Sequence, residues 1–431
     1  MSSMSTNIQA IRPKLYQLHI LCLAAAAFFL PLKIHYCNIA TGVSFGLWLI
    51  SCTPETFKQT RTTYIFYAVV LSLYIIQIIG LPYSDNISRG FFMLETKLGL
   101  VLFPTMILLS SLDAANIRRI FTAFIVGVLL ACLWCHVNAI QNALVHDSTM
   151  RDFFLSDRFQ NDKFTAPIKM HPAYLGWCIS IIIFHIIDER LRTARSRFPW
   201  YVILAYFSLC LFVLMSRAAL TAFGAALLVY VWLKLVYLQK RYMKAGLVTG
   251  AFILTFILFL TFVPNFKSRM SEVINNFHGR FDTMDYNSTT LHVRQWYCAW
   301  NSVSGAEFIW GLGTGDELDA LMECYVENEF NHLVEQKLDA HNEYLSSIVR
   351  HGLLGLVVFV GVLGFTFTGA FLEKNVQYLV FIVMVSIHAL SVSILYGQAS
   401  LVIYALFNSL FIKAMLIKQF KESGSQSGLA N

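Results

Sequence analysis

Long runs without a single charged residue constrain this chain most. Thr63 to Leu81, Gly246 to Pro264 and Val376 to Gln398 contain no Asp, Glu, Lys or Arg. Each run is long enough to cross a hydrocarbon core of about 30 Å as an α-helix, and none shows the alternation of a transmembrane β-strand. A helix satisfies its own backbone hydrogen bonds, as lipid requires. Only 13% of the residues are charged, against about 25% in ordinary soluble proteins, so the composition excludes a soluble fold.

The hydropathy pattern predicts an all-α integral membrane protein with about twelve transmembrane helices. The predicted spans are 15–32, 38–53, 63–81, 96–112, 118–139, 171–187, 199–216, 217–238, 245–264, 343–371, 376–393 and 396–417. The seventh and eighth spans follow each other directly, which requires a tight turn near Ser216. The chain then divides into helices one to nine with an outer loop near 141–170, a large loop, helices ten to twelve and a tail (1–263, 264–342, 343–417 and 418–431).

The distribution of basic residues predicts the orientation. With the N-terminus inside, the internal segments hold 18 of the 32 basic residues and six of the 25 acidic ones. The inside therefore carries a net charge of +12 and the outside −5, which together give the overall +7. The reverse orientation would place the arginine-rich turn at 190–197 outside, against the positive-inside rule. We expect cytoplasmic termini and an external large loop, and the basicity indicates topology, not nucleic-acid binding.

The large loop has the pattern of a folded, partly helical segment. Eight apolar residues recur near helical spacing in its second half, namely Leu318, Leu321, Met322, Tyr325, Phe330, Leu333, Val334 and Leu338. Cys298 and Cys324 share this loop, and they could form a disulfide if the compartment is oxidising. Asp316, Glu317, Asp319 and Glu323 could hold a divalent cation, but such a run is more typical of a solvated helix face.

Arg217 and His341 are the two strongest candidates for chemistry. Arg217 lies at the outer end of a span, where a guanidinium is either a snorkelling anchor or a clamp for the phosphates of a lipid-linked substrate. His341 lies at the end of the large loop, and a histidine there can accept a proton from a hydroxyl or simply begin a helix. Arg294 lies in a tryptophan-rich stretch of the loop that also fits a surface helix.

Five short motifs together resemble the O-antigen ligase and O-antigen polymerase family of bacterial inner membranes. They are Ser216-Arg217, the stretch from Arg294 to Cys298-Ala299-Trp300, Trp310-Gly311-Leu312-Gly313, His341-Asn342-Glu343-Tyr344-Leu345 and Gly352-Leu353-Leu354-Gly355-Leu356. The last two motifs are the most specific. All five motifs lie within residues 205–360, whereas the similarity in topology covers the whole chain.

The resemblance implies a glycosyltransferase that uses a glycan on a polyprenyl diphosphate as donor, on the periplasmic face. A ligase transfers this glycan to a sugar hydroxyl of lipid A–core. The resemblance implies His341 as the general base, with Arg217 and Arg294 holding the diphosphate. Lys97, Arg158 and His171 are weaker candidates around the same cavity. We expect no cofactor and no metal, because arginines can neutralise the charge that grows on the leaving diphosphate. Donor, acceptor and membrane lipids are the expected partners.

Three other functions stay open on sequence grounds. A polymerase uses the same donor but takes a second lipid-linked repeat unit as acceptor, and no residue here distinguishes the two. We favour the ligase because the histidine and two arginines match the ligase pattern. A transporter of lipid-linked sugars would place Arg217 and Lys97 along a translocation path, and a membrane scaffold would use the large loop only for binding.

Overall fold

The computed structural model describes residues 2–145, 159–262 and 288–427, and every regular element within them is helical. The α-helices are α1 (Ser2–Phe29), α2 (Ile34–Ser51), α3 (Arg61–Ile79), α4 (Ile87–Thr96), α5 (Gly99–Leu108), α6 (Ala114–Val145), α7 (Asn161–Thr165), α8 (Pro172–His185), α9 (Leu191–Thr193), α10 (Phe198–Leu214), α11 (Arg217–Tyr230), α12 (Tyr242–Phe262), α13 (Ser288–Asn301), α14 (Glu307–Trp310), α15 (Glu317–Glu327), α16 (Asn331–Gln336), α17 (Glu343–Leu372), α18 (Val376–His388) and α19 (Gln398–Ser427). Short π-helical segments, Ile186–Arg190 and Val231–Leu238, continue α8 and α11.

The membrane character predicted from the sequence is confirmed, whereas the count of twelve spans stays a prediction. Seven described segments are long and apolar enough to cross a membrane: Arg61–Ile79, Ile87–Leu108, Ala114–Val145, Pro172–Thr193, Arg217–Leu238, Glu343–Leu372 and Gln398–Gln419. Three shorter apolar helices are Phe198–Leu214, Tyr242–Thr255 and Val376–His388. The first two predicted spans overlap α1 and α2, although α1 already begins at Ser2. The division of the chain into domains also stays a prediction.

Several boundaries differ from those predicted, among them the start of the fourth span and the end of the last helix. The fourth span begins at Ile87, well before residue 96, and it is interrupted at Lys97 between α4 and α5. The charged side chains of α4 lower its hydropathy, so the sequence pattern did not predict this first half as part of the span. The last helix continues to Ser427, beyond the predicted end of the span at 417. The tight turn required near Ser216 is present, because α10 ends at Leu214 and α11 begins two residues after Met215.

Helix α19 forms the centre of the bundle. Of its most apolar stretch, 89% is buried inside the protein, compared with 33% for α17. A helix that is apolar on all sides must be covered by other helices or by lipid. Helices α5, α6, α8 and α18 cover α19. Two thirds of the most apolar stretch of α17 is not buried by the protein, so this helix has more of its surface facing outward.

The described part of the large loop, residues 288–342, has its own small core. A disulfide joins Cys298 of α13 to Cys324 of α15, as the sequence allowed. Around it are buried Ala299, Leu321, Tyr325, Leu333, Ala340 and Val349. The predicted helical pattern is confirmed by α15 and α16, which carry most of the apolar residues named above. Residues 264–287, at the start of this loop, lie outside the described part of the chain.

Backbone contacts join the large loop to α17. The N–H groups of Leu312 and Gly313 donate to the carbonyl oxygens of Val349 and Arg350, at 2.9 and 3.0 Å. Gly352 interrupts α17 with φ +62°, in the left-handed region that glycine adopts most easily. A Cβ on Gly352 would lie 2.2 Å from the carbonyl carbon of Ile309. The two glycine motifs, Trp310-Gly311-Leu312-Gly313 and Gly352-Leu353-Leu354-Gly355-Leu356, therefore allow the backbones of the large loop and of α17 to come into contact.

We expect Gly352→Ala to destabilise the protein. The strained φ alone costs roughly 1–3 kcal/mol, and the overlap with Ile309 adds to it. The control is Gly361→Ala in the same helix, where the added Cβ meets no atom within 4 Å and alanine should be neutral or slightly stabilising. Thermal unfolding of the two purified variants in detergent tests this. Equal unfolding midpoints would contradict the proposed backbone contact.

Candidate active site

His341 and Asp339 form a hydrogen-bonded pair where the large loop ends. The Nδ1 atom of His341 lies 2.5 Å from Oδ1 of Asp339. Since the carboxylate accepts, Nδ1 carries the hydrogen and Nε2 is left as the basic nitrogen. His341 has φ +46°, and the next residue, Asn342, caps α17 by accepting from the N–H groups of Tyr344 and Leu345. This backbone turn brings the two side chains together.

The pair also sets the protonation of both groups. Burial on its own lowers the pKa of His341, but the charge and hydrogen bond of Asp339 outweigh it and raise this pKa above its ordinary value. Burial on its own raises the pKa of Asp339, but the charge of His341 and its hydrogen bonds lower it. The His341 side chain is 32% exposed and that of Asp339 only 10%. A partly accessible base is therefore oriented by a buried carboxylate.

A second histidine, His292, lies beside this pair. Its ring centroid is 5.2 Å from that of His341. Gln295 connects His292 to Asp339. Its Nε2 donates to the backbone oxygen of Asp339 at 2.8 Å, and its Oε1 therefore faces Nδ1 of His292 at 3.2 Å. His292 must then carry its hydrogen on Nδ1. Burial and the positive charges of His341 and Arg217 lower the pKa of His292 to about 4.

Arg217 lies close enough to His292 for its charge to contribute to lowering the pKa of that ring. It is the first residue of α11, and Ser216 caps that helix by accepting from the N–H of Ala219. Arg294 is buried two residues after His292 on α13. Its guanidinium carbon lies 5.0 Å from the centre of the Phe330 ring. The two predicted arginines therefore come from two different helices, α11 and α13.

The weaker candidates occupy different places. His171 caps α8 by accepting from the N–H of Ala173 at 3.3 Å, and the charges of His341 and Asp339 act on its ring. Lys97 is completely buried, and its Nζ donates to Oε1 of Gln77 at 2.5 Å. Arg158 lies outside the described residues. The structure therefore groups His171 with His341, whereas Lys97 lies deeper in the protein.

A buried charge cluster, formed by Arg350, Glu343, Glu317 and Lys97, begins two residues after His341 in the chain, at Glu343. Arg350 donates to Glu343 at 2.5 Å and lies 3.1 Å from a Glu317 oxygen. Glu343 also accepts from the backbone N–H of Leu395 at 2.7 Å. The charges of the two glutamates and Arg350 act on Lys97, so two cations face two anions. The cluster ties the first turns of α17, just after His341, to the large loop and to the segment before α19.

In the acidic run of the large loop, Asp316 and Glu317 are anchored and buried, whereas Asp319 and Glu323 are exposed. Asp316 accepts from the Ser84 hydroxyl and from the N–H groups of Asp85 and Asn86, while Glu317 accepts from the Ser346 hydroxyl. The expectation of a solvated helix face was therefore wrong for these two residues, which are buried. Within the described ranges, no group of three or more His, Cys, Asp or Glu side chains is arranged to hold a metal ion.

Sequence reasoning passed over Asp339 and His292. Asp339 stands two residues before His341, a spacing that joins two side chains only if the backbone turns between them. His292 stands two residues before Arg294. The signal that could have found them is their position beside residues already chosen. Glu343 belongs to one of the sequence motifs, and Arg350 follows it at a spacing of seven, which places the two on one helix face.

Comparison with known proteins identifies a family for the region that holds this site. Residues 202–360 match the family model described as O-Antigen ligase. The match includes Arg217, Arg294, His341 and both glycine motifs, and it confirms the resemblance predicted from the sequence. It supports an O-antigen ligase-like membrane glycosyltransferase. No curated protein matches the chain.

Proposed function

We propose that this chain, whose residues 202–360 match the O-antigen ligase family model, transfers a glycan from a polyprenyl diphosphate carrier to a sugar hydroxyl of lipid A–core. The observation that carries the proposal is the His341–Asp339 pair, placed beside Arg217 and His292 where apolar helices meet the large loop. A lipid-anchored donor can reach such a place while its diphosphate stays at the boundary of the membrane. In this proposal the loop faces the periplasm of a bacterial inner membrane, and both termini are cytoplasmic.

The transfer step needs one base and a site for one leaving group. Nε2 of His341 takes the proton of the acceptor hydroxyl as its oxygen attacks the anomeric carbon. The bond from that carbon to the diphosphate oxygen breaks, and the diphosphate leaves with the electron pair. Asp339 stabilises the imidazolium that forms. Arg217 and Arg294 bind the diphosphate, because a planar guanidinium offers paired donors to phosphate oxygens.

His292 supports the same step as a neutral neighbour. Its Nδ1–H is committed to Gln295, so Nε2 is available to accept a hydrogen bond from a sugar hydroxyl. Because the pKa of His292 is lowered to about 4, it adds no positive charge beside His341 near neutral pH. His171 and Lys97 remain weaker candidates. His171 is a candidate for contact with the substrate beside His341 and Asp339, and Lys97 acts only through its interaction with the buried charges of Glu343, Glu317 and Arg350.

Reconstitution of the purified protein tests the proposal. The lipid-linked glycan is supplied in proteoliposomes with lipid A–core or with a second lipid-linked repeat unit as the acceptor, and products are separated on gels. We expect transfer to lipid A–core without an ion gradient and with a chelator present. Transfer only to the repeat unit would indicate a polymerase, and movement of the donor across the bilayer without transfer would indicate a transporter. Either result would refute the ligase proposal.

We expect Asp339→Asn to change the pH dependence of transfer. The wild-type base is neutral only above its raised pKa, so activity should increase as pH rises through that value. The substitution removes the two effects that raise the pKa and leaves burial, which lowers it. The acidic limb should therefore move to lower pH, while the maximal rate falls because the base is weaker and poorly oriented. A lower rate with an unmoved limb would contradict this coupling.

A further inference from the structure

A basic cavity lies at the opposite end of the bundle from His341. It is a wide-open depression of about 410 Å³ at the protein surface, lined by Ala115, Arg118, Arg119, Thr122 and Arg190. Arg118 and Arg119 lie near the beginning of α6, and Arg190 ends the π-helical continuation of α8. Three guanidinium groups thus meet where two helices of opposite direction begin and end.

The position of the cavity along α8 places it at the other membrane boundary. His171, beside the candidate active site, directly precedes Pro172 at the start of this segment, and Arg190 ends it. The 19 residues from 172 to 190 span about 28 Å at the rise of a helix. That length is close to the hydrocarbon thickness of a bilayer, about 30 Å. The arginines therefore lie at the headgroup level of the face opposite the active site.

The cavity is built by specific contacts. An Nη atom of Arg190 donates to the Thr122 hydroxyl at 2.7 Å and to the Arg118 carbonyl at 3.4 Å. Its guanidinium also lies over the Trp200 ring, 5.2 Å from the centre. These contacts fix Arg190 between α6 and α10. Its Nε is buried without a hydrogen-bond partner among the described residues.

One of the carboxylates nearest in sequence acts on the cavity. Asp188 pairs with Lys234 at 2.6 Å. Glu189 lies 3.7 Å from His185, which is charged only if protonated, and the negative charge of Glu189 acts on Arg190. Asp113 caps the start of α6 by accepting from the Asn116 N–H. No ion pair to the three cavity arginines occurs within the described part of the chain. Glu189 offsets at most one of the three arginine charges, so the cavity keeps a net positive charge.

We propose that this cavity binds a phosphate group, supplied by the headgroup of an anionic phospholipid. A guanidinium matches phosphate oxygens through paired donors, and basic pockets between transmembrane helices are suited to such headgroups. Free phosphate has the same chemistry. The location at the membrane boundary favours the lipid, whose chains lie along the apolar outer surfaces of α6 and α10.

Lipid retention by the purified full-length protein tests the proposal. Native mass spectrometry measures the lipid that stays bound to protein taken from mixed micelles of phosphatidylglycerol and phosphatidylcholine. The amounts of the two bound lipids are compared with and without inorganic phosphate at matched ionic strength. We expect preferential retention of phosphatidylglycerol, reduced at least about tenfold in Arg118→Gln/Arg119→Gln. The matched control is Arg195→Gln/Arg197→Gln, which removes two exposed arginines of the adjoining turn outside the cavity and should retain lipid like the wild type.

Three results would overturn the proposal. They are equal retention of the two lipids by the wild type, equal loss in the cavity and control variants, and displacement of phosphatidylglycerol by inorganic phosphate at equal concentration. The first comparison needs only the wild-type protein, so it decides the matter even if the cavity variant fails to fold. Because the readout is bound lipid, the outcome is independent of the proposed glycan transfer.

Discussion

Replacing His341 with alanine is expected to reduce glycan transfer by roughly 10²–10⁴-fold, the usual contribution of a positioned general base. The substitution removes the Nε2 atom that would accept the hydroxyl proton and leaves Asp339 without its partner. Substrate binding should change much less than the rate, because Arg217 and Arg294 remain. The measurement is the rate of transfer to lipid A–core in proteoliposomes, at saturating donor.

The control for this experiment is His35→Ala, which removes an exposed histidine of α2. It should leave both the protein level and the rate unchanged. If His341→Ala transfers glycan at the wild-type rate with a normal protein level, His341 is not the base. His292 would then be the next residue to test, since its Nε2 is also available to accept a proton.

The second large effect is expected for Arg350→Met, which should destabilise the protein by about 3–5 kcal/mol, as for other broken buried ion pairs. Arg350 contacts both Glu343 and Glu317, and all three side chains are almost completely buried. Burial on its own raises the pKa of Glu317, and Arg350 and Ser346 oppose that shift. Without the arginine, two carboxylates would face each other with only Lys97 to balance them.

Thermal unfolding in detergent measures this loss, with Arg61→Met as the control at an exposed position of α3. Arg350→Lys should fall between the wild type and Arg350→Met, since an ammonium group keeps the charge but cannot reach both carboxylates with paired donors. An unfolding midpoint of Arg350→Met equal to that of the control would show that the cluster contributes nothing to stability.

Most of the helices could be predicted from the sequence because their signal is local. An uncharged run of sufficient length has one stable form in lipid, and the turn at Ser216 follows from two such runs in succession. The start of α4 could not be found in this way. Its stretch from Ile87 to Thr96 carries charges, and it is tolerated because Asn86 and Asp316 tie its beginning to the large loop.

The candidate site could be predicted only in part, because its remaining members depend on contacts between distant segments. Asp316 and Glu317 have the sequence spacing of a solvated helix face, yet their partners come from residues 84–86 and from α17. The charge of Lys97 makes it a candidate, but its buried position depends on α3 and the buried glutamates. Burial of this kind cannot be deduced from local spacing.

The contact between the two glycine motifs has a consequence for engineering acceptor specificity. A chimera that exchanges the large loop with that of a related enzyme must keep both sides of this contact from one parent. Residues 309–316 are bound to the backbone of α17 and to residues 84–86. The exchangeable unit therefore has to include α17 through Gly352 and the 84–86 turn as well, and grafts cut at the predicted loop boundaries should misassemble.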